Sequence, residues 1–342
     1  MARAQSSGEG RPVSMADIAA AAGVSQQTVS RVANGLSNVS EKTRQKVQRA
    51  MDELGFRPNY AGRSLRTGLY KTVGLCLTDL YQAGNLSTLE GITAAARERG
   101  YAITLVTLGE GEGASLGQIS SRMATLPVDG LIIRMPSMPE DFDDFSPLTG
   151  LSTVLLSVYS HPRCSTVESD QYGCSTLAVE HLAARGHRQI RFVTGPSDSI
   201  DARFREAGWR EGLEGLGLDV VEPMAGDWGA DSGYEIGARL AADREMTAVF
   251  VANDTMALGV MEALCDAGLR VPEDVSVIGV DDSLAGTVPN NALSSVRFDS
   301  AGCGRVAFEA VLEGLDPAAS VQTVRLPCEL VERASVAFAH PR

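Results

Sequence analysis

Apolar residues recur at intervals of three and four positions in three short segments near the start of the chain, which predicts three helices. Ser14, Ser25 and Ser40 stand immediately before these segments, where a side-chain oxygen can cap a helix N-terminus. Gly55 follows the third segment, where a helix can end in a left-handed residue. The segments are MADIAAAA (15–22), QQTVSRVA (26–33) and EKTRQKVQRAMDEL (41–54).

The first two predicted helices are separated by the turn Gly23-Val24-Ser25, a spacing typical of a helix-turn-helix. In that motif the second helix lies in the major groove of DNA, with its first residues facing the base edges. Because Gln can pair with adenine and Arg with guanine, we expect Gln26, Gln27 and Arg31 to read bases. The alternative is a three-helix bundle whose polar face contacts only solvent.

From residue 71 onward, short apolar runs alternate with longer helical segments. Near-continuous apolar runs are typical of parallel strands covered on both faces, and their alternation with helices indicates an α/β fold. The length of this part favours two such layers rather than one. Ligands in these folds bind at the carboxyl ends of strands or between domains. The runs are TVGLCLTD, YAITLVTL, DGLIIRMP, STVLLSV, RQIRFVTG, TAVFVAND and DVSVIGVDD.

Charge is divided unevenly between these two parts of the chain. The net charge of the 342 residues is −13, yet the first 70 residues hold ten Lys or Arg against five Asp or Glu. The remaining 272 residues hold 20 against 38. A basic end on an acidic body suggests a small module that binds a polyanion, attached to a larger domain with another task. A basic tail without a partner is the alternative.

Other features narrow the class of protein. No apolar run approaches the roughly 18 residues of a membrane span, and the first residues lack the apolar stretch of a secretory signal, so we expect no membrane association. The six cysteines show neither CxxC pairing nor metal-site spacing, a pattern typical of reduced thiols in a cytoplasmic protein. We therefore expect no metal and no cofactor.

An enzymatic function is weakly supported by the sequence. GEGEGASLG (109–117) follows a predicted strand, but its spacing is GxGxxxG rather than the GxGxxG of a dinucleotide loop. The four histidines lie in no HExxH or nucleophile-elbow context. We expect no catalytic residues, and an NAD- or sugar-dependent cytoplasmic enzyme of α/β fold remains an alternative. A solute receptor for transport would fit the body, but the helix-turn-helix opposes it.

The stretch VSMADIAAAAGVSQQTVSRVANGLSNVSEKTRQKVQRAMDELGFRPNYAGRSLRTG resembles, without a gap, the N-terminal region of LacI/GalR-type transcription regulators. DARFREAGW, GDWGADSGYEIG, FVANDTMALG and VIGVDDS extend the resemblance over essentially the whole chain. The family implies an α/β fold with an N-terminal three-helix helix-turn-helix domain and a hinge helix. These are joined to a periplasmic-binding-protein-like core of two α/β lobes with parallel sheets.

The resemblance also implies the domain boundaries. The N-lobe would comprise about 71–169 and 300–327, and the C-lobe about 170–297 and 328–342. The segments along the chain would be a flexible tail (1–12), the helix-turn-helix domain (13–58), the hinge helix and linker (59–70) and the effector-binding core (71–342).

DNA contacts follow from the same resemblance. Leu65 occupies the position of the family's hinge leucine, which enters the minor groove and kinks the duplex. These contacts should depend strongly on salt. The expected DNA-binding residues are Ser25, Gln26, Gln27, Thr28, Ser30, Arg31, Asn34, Asn59, Arg63 and Leu65.

The resemblance also implies effector contacts, of which Asn253 and Asp281 lie at the ends of predicted strands. Arg205 matches an arginine that grips sugar hydroxyls, and its fork of donors suits a vicinal diol. Trp228 can pack against an apolar sugar face, whereas Asp254 and Asp282 are expected to be helix caps or turn formers. The expected effector-binding residues are Arg205, Asn253, Asp281, Trp228, Phe298, Ser157, Gln82 and Arg134.

Several positions depart from a family member that this sequence closely resembles. Ser157 and Ser169 replace an aspartate and a phenylalanine, and polar Gln82 and Asn85 replace apolar contacts. These changes leave room for a larger or more hydroxylated ligand, such as a disaccharide or glycoside. Arg134 replaces an asparagine, which leaves an acidic ligand as an alternative.

The resulting functional hypothesis is a repressor of sugar-utilisation genes that a small sugar effector releases from double-stranded operator DNA. A regulator that binds DNA only with a corepressor is the alternative. Because no C-terminal heptad helix is present, we expect a homodimer formed through the core. Such a dimer would bind a pseudo-palindromic operator.

Overall fold

The computed structural model describes residues 13–33, 38–56, 68–77, 83–107 and 115–339. The chain forms two compact units, Met1–Tyr70 and Lys71–Arg342. Most of the predicted hinge (59–70) lies outside the described residues. So do five predicted site residues, namely Asn34, Asn59, Arg63, Leu65 and Gln82.

The described part of the first unit consists of three helices around a small apolar core. Ser14 and Asp17 form the predicted capping box, since the Ser14 side chain accepts from the Asp17 N–H and the Asp17 side chain accepts from the Ser14 N–H. The core includes Ile18, Val29 and Val47, one from each helix, all fully buried. The helices are α1 (Met15–Ala22), α2 (Gln26–Ala33) and α3 (Glu41–Leu54), which confirms the three predicted helices.

Two glycines set the turns of this unit. Gly23 ends α1 with a φ of 64°, and Gly55 ends α3 with a φ of 65°. Both values lie in the left-handed region that residues with a side chain avoid. After Gly23, the Val24 N–H donates to the Ala19 carbonyl at 3.0 Å, which closes the helix end and starts the short turn into α2.

The second unit contains two six-stranded sheets. The first has the strand order β11-β5-β4-β3-β1-β2 and is parallel throughout. The second has the order β12-β10-β9-β8-β6-β7 and is parallel except for the antiparallel edge pair β10 and β12. The strands are β1 (Thr72–Leu77), β2 (Ala102–Thr107), β3 (Gly130–Arg134), β4 (Ser152–Leu156), β5 (Ser165–Ser169), β6 (Ile190–Thr194), β7 (Met224–Ala225), β8 (Ala248–Val251), β9 (Ser276–Val280), β10 (Ser294–Phe298), β11 (Thr323–Leu326) and β12 (Cys328–Val331).

Helices cover these sheets and explain the apolar strand runs. In β3, Leu131 and Ile133 belong to one buried cluster, and Ile132 belongs to the cluster on the opposite face. Because both faces are buried, consecutive positions within such a strand are apolar. The helices are α4 (Ala83–Glu98), α5 (Leu116–Met123), α6 (Gln171–Ala184), α7 (Ile200–Gly215), α8 (Ala230–Leu240), α9 (Asp254–Asp266) and α10 (Ser300–Glu313).

The seven predicted strand runs all contain observed strands, so the α/β prediction is confirmed. The pattern missed β5, β7, β10, β11 and β12. The last two are edge strands of four residues without a fully buried position, and they therefore carry no continuous apolar run. The described helices include none that is long and apolar enough to cross a membrane.

Three helix pairs of the second unit approach each other at glycines. A Cβ on Gly208 of α7 would collide with the Tyr172 carbonyl of α6. Gly304 of α10 and Gly259 of α9 face the backbones of α4 and α8 in the same way. Since backbone cannot move aside as a flexible side chain can, these glycines set the distance between the paired helices.

Replacing Gly208 with alanine should therefore destabilise the second unit. The added methyl group must push α6 and α7 apart, at a cost of roughly 1–3 kcal/mol in the free energy of unfolding. Urea unfolding followed by circular dichroism measures the change. Gly215→Ala in the same helix is the matched control, because its Cβ would meet no atom within 4 Å, and it should be neutral or slightly stabilising. Equal losses in both variants would contradict the packing argument.

Candidate functional site

The exposed face of α2 is the candidate site of the first unit. Ser25 caps the helix, because its Oγ accepts from the Thr28 N–H at 3.1 Å. Val29 and Val32 point into the core, which turns the opposite face outward. The first three predicted contact residues are exposed and the others are partly exposed: Ser25, Gln26 and Gln27, then Thr28, Ser30 and Arg31. This is the arrangement that places a recognition helix in a major groove.

A cavity of about 340 Å³ is the candidate site of the second unit. It lies where the carboxyl ends of strands from both sheets meet, so the two sheets share its wall. Every predicted effector residue within the described part of the chain lines it: Arg134, Ser157, Arg205, Trp228, Asn253, Asp281 and Phe298. Their role as ligand contacts remains a prediction.

Arg205 forms the centre of the wall supplied by the second sheet. The residue is only 5% exposed, and its guanidinium donates from Nε to Gln171 Oε1 at 2.8 Å. It also donates from Nη1 to the Ala252 carbonyl. The rings of Trp228 and Phe298 lie over the guanidinium, with centroids 5.5 and 5.3 Å from its central carbon. Cation–π contacts of this kind stabilise a charge that is removed from water.

Asp281 supplies the counter-charge of Arg205. The arginine donates from Nη2 to Asp281 Oδ1 at 3.4 Å. Burial raises the pKa of the Asp281 carboxyl, although the neighbouring Arg205 works in the opposite direction. Burial lowers the pKa of Arg205, but the negative charges around it, of which Asp281 contributes most, together outweigh burial and raise this pKa. The φ of 97° at Asp281 marks a turn directly after β9, which places the side chain at the strand end.

Trp228 and Asn253 are held together by the fold. The Asn253 amide donates to the Trp228 carbonyl at 3.0 Å, while its Oδ1 caps α9 by accepting from the Met256 N–H at 2.9 Å. A Cβ at Gly195 would overlap the Trp228 ring, so this glycine makes room for the indole. Asn253 therefore borders the cavity, but its polar atoms already have partners within the protein.

The predicted role of Asp254 as a helix cap is wrong, because Asn253 is the cap of α9. Asp254 is fully buried, and its oxygens accept from the Ser295 hydroxyl at 2.7 Å and the Ser283 N–H at 2.8 Å. Asp254 thereby connects the start of α9 to two other parts of the fold: Ser283 in the loop after β9, and Ser295 in β10. Asp282 has a φ of 52°, consistent with a turn former, and it forms ion pairs with Arg297 and Arg333.

On the wall supplied by the first sheet, Arg134 is the last residue of β3 and Ser157 directly follows the neighbouring strand β4. Ser157 is 3% exposed, and its Oγ accepts from the Tyr159 N–H at 3.1 Å. The Arg134 guanidinium forms an ion pair with Asp201 in the first turn of α7. Arg134 alone suggested an acidic ligand, but in the structure Asp201 already supplies its carboxylate partner.

Sequence reasoning missed several polar residues of the cavity wall, among them Gln171, Asp201 and Glu168. Gln171 and Glu168 flank the end of β5, a strand without a continuous apolar run, so no strand end was expected there. Asp201 stands four residues before Arg205 in the quoted stretch DARFREAGW. Helical spacing places these two residues on one face, and this signal was available in the sequence.

Comparison with family models links both units to known proteins. Residues 14–59 match the model described as bacterial regulatory proteins, lacI family. Residues 179–336 match the model of a periplasmic binding protein-like domain.

Individual relatives cover nearly the whole chain. The lactose operon repressor of Escherichia coli K12 is 32% identical over 326 residues, which are 94% of this chain and 90% of the repressor. A crystal structure of the lac repressor dimer bound to operator and the anti-inducer ONPF is 31% identical, with a TM-score of 0.82, covering 96% of this chain and 100% of that one. The transcriptional regulator CelR in complex with cellobiose is 29% identical, with a TM-score of 0.68, covering 95% and 100%.

The buried carboxyl group beside this cavity should make stability depend on pH. Burial raises the pKa of Asp254 from 3.8 to about 7, since the hydrogen bond from Ser295 offsets the burial only in part. The folded protein therefore binds an extra proton between about pH 4 and pH 7. The stabilisation from that proton is fully present below this window and is lost as the pH rises through about 7.

Asp254→Asn, which needs no such proton, should gain stability relative to the unchanged protein as the pH rises from 5 to 8. We expect a relative gain on the order of 2 kcal/mol in the free energy of unfolding, measured by urea unfolding at each pH. Asp144→Asn, which removes an exposed carboxylate, is the control. The difference in the free energy of unfolding between this variant and the unchanged protein should be the same at each pH. A constant difference for Asp254→Asn as well would contradict the prediction.

Proposed function

The chain belongs to the lacI family of bacterial regulatory proteins, and from that premise we propose that it is a repressor which a sugar in the cavity releases from its operator. Membership makes the chain a DNA-binding transcriptional regulator rather than an enzyme, so the enzymatic alternative is set aside. We place its action in the cytoplasm, where operator DNA is accessible.

The observation that carries the sugar assignment is the composition of the cavity wall. The Arg205–Asp281 pair places a donor fork beside an acceptor, which matches the hydroxyl groups of a vicinal diol. Trp228 and Phe298 add flat apolar surface, which matches the C–H face of a pyranose ring. The solved structure of CelR, a similar protein, is a complex with cellobiose. A disaccharide or glycoside is therefore the ligand class that we assign.

The two sites must communicate for a sugar to release DNA. We assign residues 13–58 to DNA binding, 59–70 to a hinge helix and 71–342 to the effector core, with the cavity between its two lobes. The lac repressor binds its operator as a dimer. We infer that two chains of this protein likewise associate, through the core, and meet a pseudo-palindromic operator. An effector that binds one arrangement of the lobes more tightly shifts the population toward it by that difference in affinity.

Lactose and cellobiose are the first probes of this function. A thermal-shift assay of the full chain identifies which of them stabilises it, and fluorescence anisotropy with a duplex enriched from random sequence then measures operator affinity. We expect the stabilising sugar to weaken operator binding at least about tenfold, a coupling of about 1.4 kcal/mol. Tighter operator binding in the presence of the sugar would instead indicate a corepressor. Stabilisation by neither sugar, nor by galactose or glucose, would refute the sugar assignment.

Arg205→Lys should separate the two activities. Lysine keeps the positive charge next to Asp281 but lacks the planar fork that engages two hydroxyls at once. We expect sugar affinity to fall at least about tenfold, while operator affinity without sugar stays within about twofold. Arg210→Lys on the exposed side of the same helix is the control and should change neither quantity. If the same sugar concentration releases the variant and the unchanged protein from the operator, Arg205 does not contribute to sugar binding.

Arg31→Gln tests the recognition helix. If Arg31 reads a guanine, the substitution should cost about 1–3 kcal/mol in operator affinity and relax base choice at one position. Binding to a panel of single-base operator variants measures both effects. Arg49→Gln removes the same charge from α3 and should weaken binding to all variants by a similar, smaller factor. A uniform loss for Arg31→Gln too would show that Arg31 contacts phosphate.

A further inference from the structure

One ion pair crosses the cavity from one lobe of the core to the other. Arg134 is the last residue of β3 in the first sheet, and Asp201 lies in the first turn of α7, which follows β6 of the second sheet. The arginine donates from Nη2 to Asp201 Oδ2 and from Nη1 to the Leu156 carbonyl at 3.4 Å. The two side chains are 20% and 14% exposed. The pair is therefore largely removed from water and forms part of the cavity wall.

The position of this pair is fixed by packing around it. Ile200, the residue before Asp201, is 2% exposed and lies in the apolar cluster of the first lobe. Its N–H donates to the Pro136 carbonyl at 3.0 Å. Phe204, one turn further along α7, packs against the same cluster and against Tyr159 at a ring-centroid distance of 5.2 Å. Since the start of α7 is anchored in this way, Asp201 is held opposite Arg134.

The other buried charges of the described cavity wall are also paired. Arg205 faces Asp281, and Glu168 faces Arg325. A further wall carboxylate, Asp227, is exposed to solvent, where salt and water screen its charge. A charged ligand would thus enter a wall in which each buried charge has a partner already, and it would lose its own hydration without gaining a counter-ion.

We propose that the Arg134–Asp201 pair is a charge filter, which restricts this cavity to uncharged polyhydroxy ligands and excludes sugar acids and amino sugars. This inference rests on the proposed sugar-binding function and adds the charge class of the ligand to it. Either residue alone would recruit an ion, since an unpaired buried arginine binds a carboxylate and an unpaired buried aspartate binds an ammonium group. Together they cancel and leave only hydrogen-bonding capacity.

That remaining capacity suits a hydroxyl group. The Asp201 side chain borders the cavity and is 14% exposed, although its Oδ1 is buried and has no hydrogen-bond partner among the described residues. A carboxylate oxygen has more than one lone pair, so Oδ2 can accept from a ligand hydroxyl in addition to the Arg134 guanidinium. Asp201 is accordingly assigned as an acceptor through Oδ2. Arg205 lies one helical turn further along α7 and borders the same cavity.

Removing each partner separately tests the filter. Asp201→Asn keeps the size of the side chain and leaves the charge of Arg134 without its partner, so affinity for galacturonate and glucuronate should rise at least about tenfold relative to galactose and glucose. Arg134→Gln leaves Asp201 unpaired, and affinity for galactosamine and glucosamine should rise by a similar factor. The double variant should again prefer the neutral sugars. Isothermal titration calorimetry on the full chain measures all six ligands.

Glu206→Gln is the matched control, because it removes a carboxylate from α7 that pairs with Arg210 on the surface, and it should leave the order of affinities unchanged. Binding of uronates by the unchanged protein as tightly as the neutral sugars would overturn the filter, as would single variants with unaltered selectivity. If the unchanged protein binds no neutral sugar but the single variants acquire opposite ionic preferences, the proposed sugar function fails and the filter stands. A variant that is too unstable for calorimetry is replaced by Asp201→Ser, for which the same gain in uronate affinity is expected.

Discussion

The burial of one guanidinium group is the constraint on which the effector cavity depends. Arg205 carries a full charge in a position that is 5% exposed, so its donors must be satisfied by the protein or by a ligand. The partners come from the start of α6, the end of β8 and the end of β9, respectively Gln171, Ala252 and Asp281. An isolated change at one of these elements would leave a buried charge partly unsatisfied, so the ends of neighbouring strands are held in register around the arginine.

The same helix connects this centre to the opposite lobe. Asp201 and Arg205 are one turn apart on α7, and each belongs to a different ion pair: Asp201 reaches across the cavity to Arg134, whereas Arg205 stays with Asp281. A ligand that contacts both ion pairs must therefore fit the fixed spacing of Asp201 and Arg205 along one turn of α7. Gly208, on the same helix, sets its distance from α6 at the backbone level. The position of α7 is consequently fixed by its packing against α6 and by two ion pairs, Asp201–Arg134 and Arg205–Asp281.

How far the sequence predicts this arrangement depends on the kind of signal. The three N-terminal helices follow from local signals, caps and helical periodicity, and their observed bounds agree with the prediction. Buried parallel strands follow from apolar runs, whereas β5, β11 and β12 are short, partly polar strands whose pairing is decided by tertiary context. The family resemblance, together with the strand ends at Asn253 and Asp281, indicated the residues of the site, but their partners within the protein were not predicted. Arg134 suggested an acidic ligand because its counter-charge, 67 residues later in the chain, becomes visible only when the two lobes fold together.

The uneven charge of the chain acquires a physical meaning from the two sites. Any protein that binds DNA through basic residues also binds non-specific DNA, which vastly outnumbers operator sites. A body with 38 acidic and 20 basic residues repels the phosphate backbone, so attraction is confined to the basic first unit. The recognition helix then contributes base contacts on top of a modest electrostatic attraction, and specific binding stays sensitive to a coupling of one or two kcal/mol. A strongly basic body would raise the affinity for all DNA, and a coupling of one or two kcal/mol would then no longer be enough to release the protein. The acidity of the core is therefore compatible with DNA binding, and it favours a regulator whose affinity must be switched by a small ligand.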